Sequence, residues 1–307
     1  MSRPIGVGVV GARGHTGAEL LRILDGHPGV DLLYAGSRSM AGNPVPGSDG
    51  LAFQDLSAQA IAELDLDAVF LALPNDLSDP FVEALSEDTI IIDISADHRF
   101  DDAWVYGLPE LNRDKIAGAR RIANPGCYAT VSQLIIAPFL HLVDGVPVVF
   151  GVSGYSGAGT TPSPKNDPER LEDNLIPYSL TGHIHERESS RNLGRPIRFM
   201  PHVHPAFRGL LVTTHLPLGS AIDADHASSL LTKAYENEAL VEVQPNAPEL
   251  RDGAGLTGVL IGGLEVSGDS KNIVVVGVED NLLKGAAVQA VQNLNLALGR
   301  PETTGLV

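Results

Sequence analysis

The chain holds one cysteine, Cys127, in the run Asn124-Pro125-Gly126-Cys127-Tyr128-Ala129-Thr130. A Pro-Gly break stops whatever precedes it. Thr130 and the apolar positions Val131, Leu134, Ile135, Phe139 and Leu142 then recur at helical spacing. The pattern predicts that Cys127 sits at a helix N-terminus, where free N–H groups and the positive dipole end favour a thiolate. The same N–H groups suit an oxyanion built on that nucleophile. A lone cysteine is otherwise most often a small buried hydrophobe. The rest of the chain decides between the two.

A second group of chemically able residues lies in Tyr178-Ser179-Leu180-Thr181-Gly182-His183-Ile184-His185-Glu186-Arg187-Glu188, just before a short helix expected over 186–193. A metal site there needs a third ligand. His202 and His204 stand without an acid or thiol at matching spacing, so no metal is expected. A general acid/base partner for Cys127, from His183 or His185, is the more economical reading. Further on, His204 and Arg208 are candidates to hold an anionic substrate.

The elements that must position these groups fall into two halves. Ile5 to Gly11 is an apolar, β-branched run that suits a buried parallel strand. Gly11-Ala12-Arg13-Gly14-His15-Thr16-Gly17 follows, then a helix from Ala18, a stop at His27-Pro28-Gly29 and a strand over 30–35. Strand, glycine turn, helix, strand is the unit that cradles a pyrophosphate on backbone N–H groups. The second strand runs into Gly36-Ser37-Arg38-Ser39, with no acid for the ribose hydroxyls of NAD. Two hydroxyls and a guanidinium suit the 2′-phosphate of NADP. Strands expected over 68–73, 90–94 and 120–123 continue at α/β spacing, and the first of these ends at Pro74-Asn75. They place Cys127 at the rim that the nicotinamide should reach.

The second half opens with a strand over 146–152 and the glycine-rich Ser153-Gly154-Tyr155-Ser156-Gly157-Ala158-Gly159. Residues 160–177 read as a long surface excursion. Strands over 210–216, 241–244, 259–266 and 272–278, with few helices between, suggest a mixed or antiparallel sheet. From Asp280 a final amphipathic helix runs to about Gly299 and packs back on the first domain. The fold class is therefore α/β: a Rossmann dinucleotide-binding domain over 1–126 and 280–307, and an α+β catalytic domain over 127–279.

Across 307 residues the formal net charge is −17, which argues against nucleic acid or an anionic membrane surface as partner. The start, Met1-Ser2-Arg3-Pro4, leads into a strand pattern without a signal peptide's apolar core, and no apolar run approaches the roughly 20 residues that span a bilayer. One cysteine excludes an internal disulfide and fits a reducing compartment. A cytoplasmic protein is expected.

Taken together, residues 11–20, Ser95-Ala96-Asp97-His98-Arg99-Phe100, Tyr106-Gly107-Leu108-Pro109-Glu110 and the 124–130 run resemble the N-acetyl-γ-glutamyl-phosphate reductase family of arginine biosynthesis. So do residues 151–159, Gly182 to His185 with Glu188, and Asn281-Leu282-Leu283-Lys284-Gly285-Ala286-Ala287. The resemblance implies NADP(H), a second domain like that of aspartate-semialdehyde dehydrogenase, and a homo-oligomer, dimer or tetramer, built through that domain's sheet. It implies a small-molecule acyl phosphate attacked by Cys127 and a thioester reduced by hydride. His183 is then the acid/base, oriented by Glu188 or Tyr178, and Arg99 is a phosphate or carboxylate clamp supported by His185 and Arg208. Ser153 and His204 join the substrate group. The cofactor set becomes Gly11, Arg13, Gly14, His15, Thr16, Gly17, Ser37, Arg38, Leu73, Pro74, Asn75, Ser95, Gly157 and Asn281. Many members of the family carry a hydrophobic or aromatic residue where His98 stands. Reduction of an aspartyl phosphate or a carrier-linked aminoadipyl phosphate, and a non-catalytic NADP sensor, are the alternative readings.

Overall fold

The computed structural model describes residues 4–48 and 50–306. The reading made at Met1 to Arg3 lies outside them. Two compact units emerge, one of residues up to Pro125 together with Ala286 onward, the other Gly126–Gly285.

The first unit begins β1 (Ile5–Val10), α1 (His15–Asp25), β2 (Val30–Gly36), α2 (Ala58–Ala62) and β3 (Ala68–Leu71). It goes on through α3 (Asp79–Ala84), β4 (Ile90–Asp93), β5 (Val105–Tyr106), α4 (Pro109–Ile116) and β6 (Arg121–Ala123). All its strands pair in parallel, in the order β2-β1-β3-β4-β6-β5. Parallel pairing buries both faces, which is why β3 and β4 read as unbroken Ala-Val-Phe-Leu and Ile-Ile-Ile-Asp runs, buried throughout. The chain leaves β1 toward β2 on one side and β3 on the other. That reversal of strand order opens a crevice at the carboxyl ends of β1 and β3, the ligand position of doubly wound sheets.

The second unit starts with α5 (Cys127–Ile136) and continues through β7 (Val148–Gly154), α6 (Pro168–Leu171), β8 (Ile176–Pro177), α7 (Ile184–Asn192) and β9 (Arg198–His204). β10 (Leu210–Pro217), α8 (Ala224–Tyr235), β11 (Val241–Val243), α9 (Leu250–Gly253), β12 (Val259–Val266) and β13 (Asn272–Glu279) complete it. Its sheet runs β11-β12-β13-β10-β7-β9-β8. β11 with β12 and β7 with β9 are parallel, and the other pairs are antiparallel. This is the mixed sheet expected from the sequence.

Two glycines let α5 lie against that sheet. A Cβ at Gly151 in β7 would stand 2.5 Å from the Tyr128 ring, and one at Gly277 in β13 would stand 2.8 Å from Val131. With both side chains absent, every residue of α5 after Cys127 is buried. α5 gives way to a 3₁₀ turn over Ala137–Phe139, where Pro138 cannot supply a helical N–H, so the expected run to Leu142 is cut short.

The chain closes in the first unit with α10 (Val288–Ala297), entered through one wide π turn over Leu283–Ala287. The helix is not amphipathic as expected. Val288 to Asn295 are all buried, and two of its asparagines donate hydrogen bonds inside the unit. Asn293 donates to Gly107 O at 2.8 Å and Asn124 Oδ1 at 3.0 Å, and Asn295 donates to Glu302 O and Thr304 O. Residues 280–285, read with the first domain on sequence, pack in the second unit. There Asp280 accepts the Gly255 N–H at 2.7 Å, and Asn281 accepts the Gly209 N–H at 3.1 Å.

Candidate active site

Cys127 is the first residue of α5, with Gly126 as its cap. No side chain caps this end, and the first turn carries no acid. The first helical N–H groups have no intrahelical acceptor, so positive potential collects at the cysteine. The Gly126 N–H, just outside the helix, donates to buried Glu188 Oε1 at 2.9 Å. Glu188 thereby ties α7 to the start of α5.

α7 carries the two histidines. His183 caps the helix, its Nδ1 accepting the His185 N–H at 3.1 Å. That bond leaves the proton of the neutral ring on Nε2, making it a donor. Burial, reinforced by the charge of Lys165, lowers its pKa to about 4. His185 stands one turn before Glu188 on the same helix face, with its ring centroid 5.9 Å from that of Tyr128. The Tyr128 hydroxyl donates to His202 O at 2.8 Å and reaches Ser153 and Tyr178. Burial, then the neighbouring charge of Cys127, pushes the Tyr178 phenol well above its usual range. Cys127, Tyr128, Ser153, Tyr178, His183, His185 and Glu188 thus form one cluster around the start of α5.

In the first unit the glycine turn fits a dinucleotide. Gly11 has φ +80°, and a Cβ there would stand 2.2 Å from Ala72 O. One at Gly17 would stand 2.4 Å from Gly11 O. Those two glycines serve the turn itself. Gly14 differs: as the cap of α1, it would bring a Cβ no nearer than 3.4 Å to any other atom. A glycine that the chain's own packing does not require, at a helix start with no side-chain cap and no acid in its first turn, leaves room for a phosphate against the N–H groups. Ser37 and Arg38 follow the end of β2, and Arg38 makes only a loose ion pair, 3.9 Å to Asp55, with its side chain 91% exposed.

The comparisons with known proteins agree. A family model described as Semialdehyde dehydrogenase, NAD binding domain matches residues 6–119, and one described as Semialdehyde dehydrogenase, dimerisation domain matches residues 127–281. The N-acetyl-γ-glutamyl-phosphate reductase of Xanthomonas campestris is 51% identical over 312 residues, 99% of each chain. That of Stenotrophomonas maltophilia is 51% identical over 308 residues, 98% of this chain and 97% of the other. The chain belongs to the N-acetyl-γ-glutamyl-phosphate reductase family. Among solved structures, aspartate semialdehyde dehydrogenase II of Vibrio cholerae shares the fold, with a TM-score of 0.79 at 21% identity over 97% of this chain and 99% of the other. The resemblance carried by the motifs, the fold class and the assignment as an oxidoreductase are all borne out.

Several expected ligand groups are engaged within the protein. Arg99 is 8% exposed and gives Nε to Asn124 O and Nη2 to Ile94 O, both at 2.9 Å. Those two bonds brace the ends of β4 and β6. Arg208 pairs with buried Asp280 at 3.4 Å, and His204 Nδ1 accepts the Ala206 N–H. Asn281 bridges Gly209 N–H to Ser156 Oγ, so it shapes the turn holding Gly157. Glu188 accepts the Gly126 N–H, and of the two groups expected to orient His183 it is Tyr178 whose ring stands edge-on to it, with centroids 5.6 Å apart.

Ser95 also turns inward. Buried Asp93 accepts from Ser78 Oγ, Ser95 Oγ and the Ser95 N–H, and lies 2.7 Å from His98 Nδ1. With Asn75 Oδ1 on the Ala96 N–H and Asp97 on Asp76 and Ser78, this network locks the loop after β3 to the loop after β4. The loop that carries Leu73 and Pro74 is therefore fixed at the carboxyl end of β3. His98 stacks on Trp104 at 4.0 Å. Burial lowers its pKa, but the Asp93 hydrogen bond and the charges of Asp93, Asp79 and Asp97 outweigh burial and raise it.

A raised folded pKa stabilises fully below the unfolded value of about 6.5 and fades as pH climbs through the folded value. Replacing His98 with Phe keeps the stack and removes the titration. The gap in urea midpoint between wild type and His98→Phe is expected to be widest near pH 5.5 and to shrink toward about pH 8.5. A gap that widened with pH would contradict the raised pKa.

Proposed function

We propose that this chain reduces N-acetyl-γ-glutamyl phosphate, with NADPH, to N-acetylglutamate semialdehyde and phosphate in arginine biosynthesis. The observation that carries the reading is Cys127 at the uncapped start of α5, with Glu188 of α7 bonded to the Gly126 N–H and His185 of the same helix beside Tyr128.

Cys127 Sγ attacks the acyl carbonyl and forms a C–S bond. The carbonyl electron pair moves to oxygen, where N–H groups at the start of α5 stabilise it. The pair returns as phosphate leaves, and a thioester remains. When bound, NADPH supplies the hydride that reduces this thioester. The thiohemiacetal oxyanion then expels the Cys127 sulfur, which takes back its proton as the aldehyde departs. The proton goes to and from His185. His183 is unsuited to carrying it, because Nδ1 is occupied, Nε2 carries the hydrogen, and a pKa near 4 makes it a weak base for a thiol near 8.5. His183 instead fixes the start of α7 and offers its Nε2–H as a donor. Ser153 and Tyr178, beside Tyr128, line the substrate side, and Arg208 and His204 border it.

For the cofactor, the α1 N–H groups at Arg13-Gly14-His15-Thr16 receive the pyrophosphate, and Ser37 with Arg38 receives the 2′-phosphate. The domain roles follow: cofactor binding in the first unit, catalysis and assembly in the second. We further infer a homo-oligomer, a dimer or tetramer, assembled through the sheet face opposite α5 and α8. Phe150 is exposed there, and Val148, Val152, Leu211 and Val274 are only partly buried. A cytoplasmic location belongs to the same reading. Among the described residues no helix is long and apolar enough to cross a membrane.

The decisive experiment is phosphate-dependent reduction of NADP by the purified protein with N-acetylglutamate semialdehyde. Wild type is expected to form NADPH and Cys127→Ser to form none while still binding cofactor. Turnover by Cys127→Ser would remove the covalent route, and inactivity of wild type with cofactor bound would redirect the search to a carrier-linked acyl phosphate. His185→Asn should lower kcat at least about 100-fold, with a smaller loss for His183→Asn; the reverse order would return the acid/base role to His183. Arg38→Ala should raise KM for NADPH at least about tenfold with little change for NADH. Equal losses would mean that Arg38 does not read the phosphate.

A further inference from the structure

β13 ends on Glu279, a residue that neither the acid/base reading nor the cofactor reading uses. Its side chain is wholly buried, with both carboxylate oxygens closed off from solvent. Gly285 shows where it lies. A Cβ added at Gly285 would stand 2.5 Å from Glu279 Oε1 and 2.7 Å from Cys127 Cβ. The carboxylate and the carbon that bears the thiol are thus separated by the space of one missing methyl group.

A buried negative charge at that range favours the protonated form of a neighbouring thiol. The start of α5 pulls the other way. The remaining charged and titratable groups around Cys127 are largely accounted for. Tyr128 and Tyr178 are kept neutral by burial. Glu188 accepts the Gly126 N–H, Asp280 pairs with Arg208, and His185 lies over Tyr128. Lys284, wholly buried beside Gly285, contributes charge of the opposite sign.

We propose that Glu279 is a positioning residue that sets the proton affinity of Cys127, holding the only cysteine as a thiol until His185 takes the proton. The thiolate then forms only when the acyl phosphate is in place. The resting enzyme is protected against oxidants and alkylating agents, which react with thiolates. A helix N-terminus alone would leave the cysteine exposed to both.

The proposal rests on Cys127 being the nucleophile, and its test is independent of turnover. Full-length wild type, Glu279→Gln and Glu279→Asp are alkylated with iodoacetamide across pH, and modification of Cys127 is followed by intact mass. Glu279→Gln is expected to move the midpoint of the rate profile down by about one pH unit or more. Glu279→Asp, which keeps the charge, should stay nearer wild type. A Gln midpoint within about half a unit of wild type, or above it, overturns the proposal. Should Glu279→Gln fail to fold, wild type decides alone. A midpoint at or above about 8 without substrate is required, and a lower one overturns the proposal. Unchanged midpoints beside intact phosphate-dependent turnover remove only the role of Glu279. Turnover by Cys127→Ser removes the catalytic reading itself.

Discussion

The Gly126 N–H gives its hydrogen to a buried carboxylate, Glu188, and the chemistry of the second unit depends on that bond. It fixes the start of α5, and with it the cysteine, against α7, the helix that carries His185. Breaking it from either side would strand a buried donor or a buried charge, at a cost of about 1–3 kcal/mol for the donor and more for the charge. The glycines of β7 and β13 complete the constraint from below by letting Tyr128 and Val131 settle into the sheet. α5 is held along its length, and only its first residue is not buried. A nucleophile positioned this way needs no loop rearrangement to be oriented.

Most of this frame could be read in the sequence because it is written in local patterns. β1, β3 and β4 announce themselves as unbroken apolar runs, since parallel pairing buries both faces. Cys127 announces itself through the Pro-Gly break. Other elements were hidden by competing signals. β9, Arg198–His204, carries Pro201 and three polar residues, so it reads as a histidine motif rather than a strand. It pairs in parallel with β7 all the same. α10 looks amphipathic because Gln289, Gln292, Asn293 and Asn295 are polar. Asn293 finds its partners at Gly107 and Asn124, far away in the chain, and Gln292 and Asn295 find theirs in the irregular tail at Glu302 and Thr304, where no periodic pattern marks them.

The same limit explains the site. Residue type and order identified the cluster around α5, yet which atom serves which partner is a tertiary matter. His183 and His185 stand one residue apart, and only the cap geometry separates them. One gives up Nδ1 to a backbone N–H, and the other shares a helix face with Glu188. Glu279 offered no signal at all. It ends an ordinary strand pattern, and its closeness to Cys127 exists only because Gly285 has no side chain.

The arginines show where this limit is sharpest. In a chain of net charge −17, sequence alone assigns cations near a site to anionic ligands. Instead, Arg99 holds backbone carbonyls and Arg208 holds Asp280. These two charges fasten strand ends and a turn, while the helix starts at Gly14 and Gly126 carry no side-chain cap and present N–H groups of the kind that suit anions. Backbone N–H groups suit that duty in an acidic protein. Their partial charges are fixed in direction, do not titrate, and lose no side-chain entropy when a phosphate or oxyanion arrives. An anion is then recognised by where it sits along a helix axis, which is a sharper criterion than charge alone.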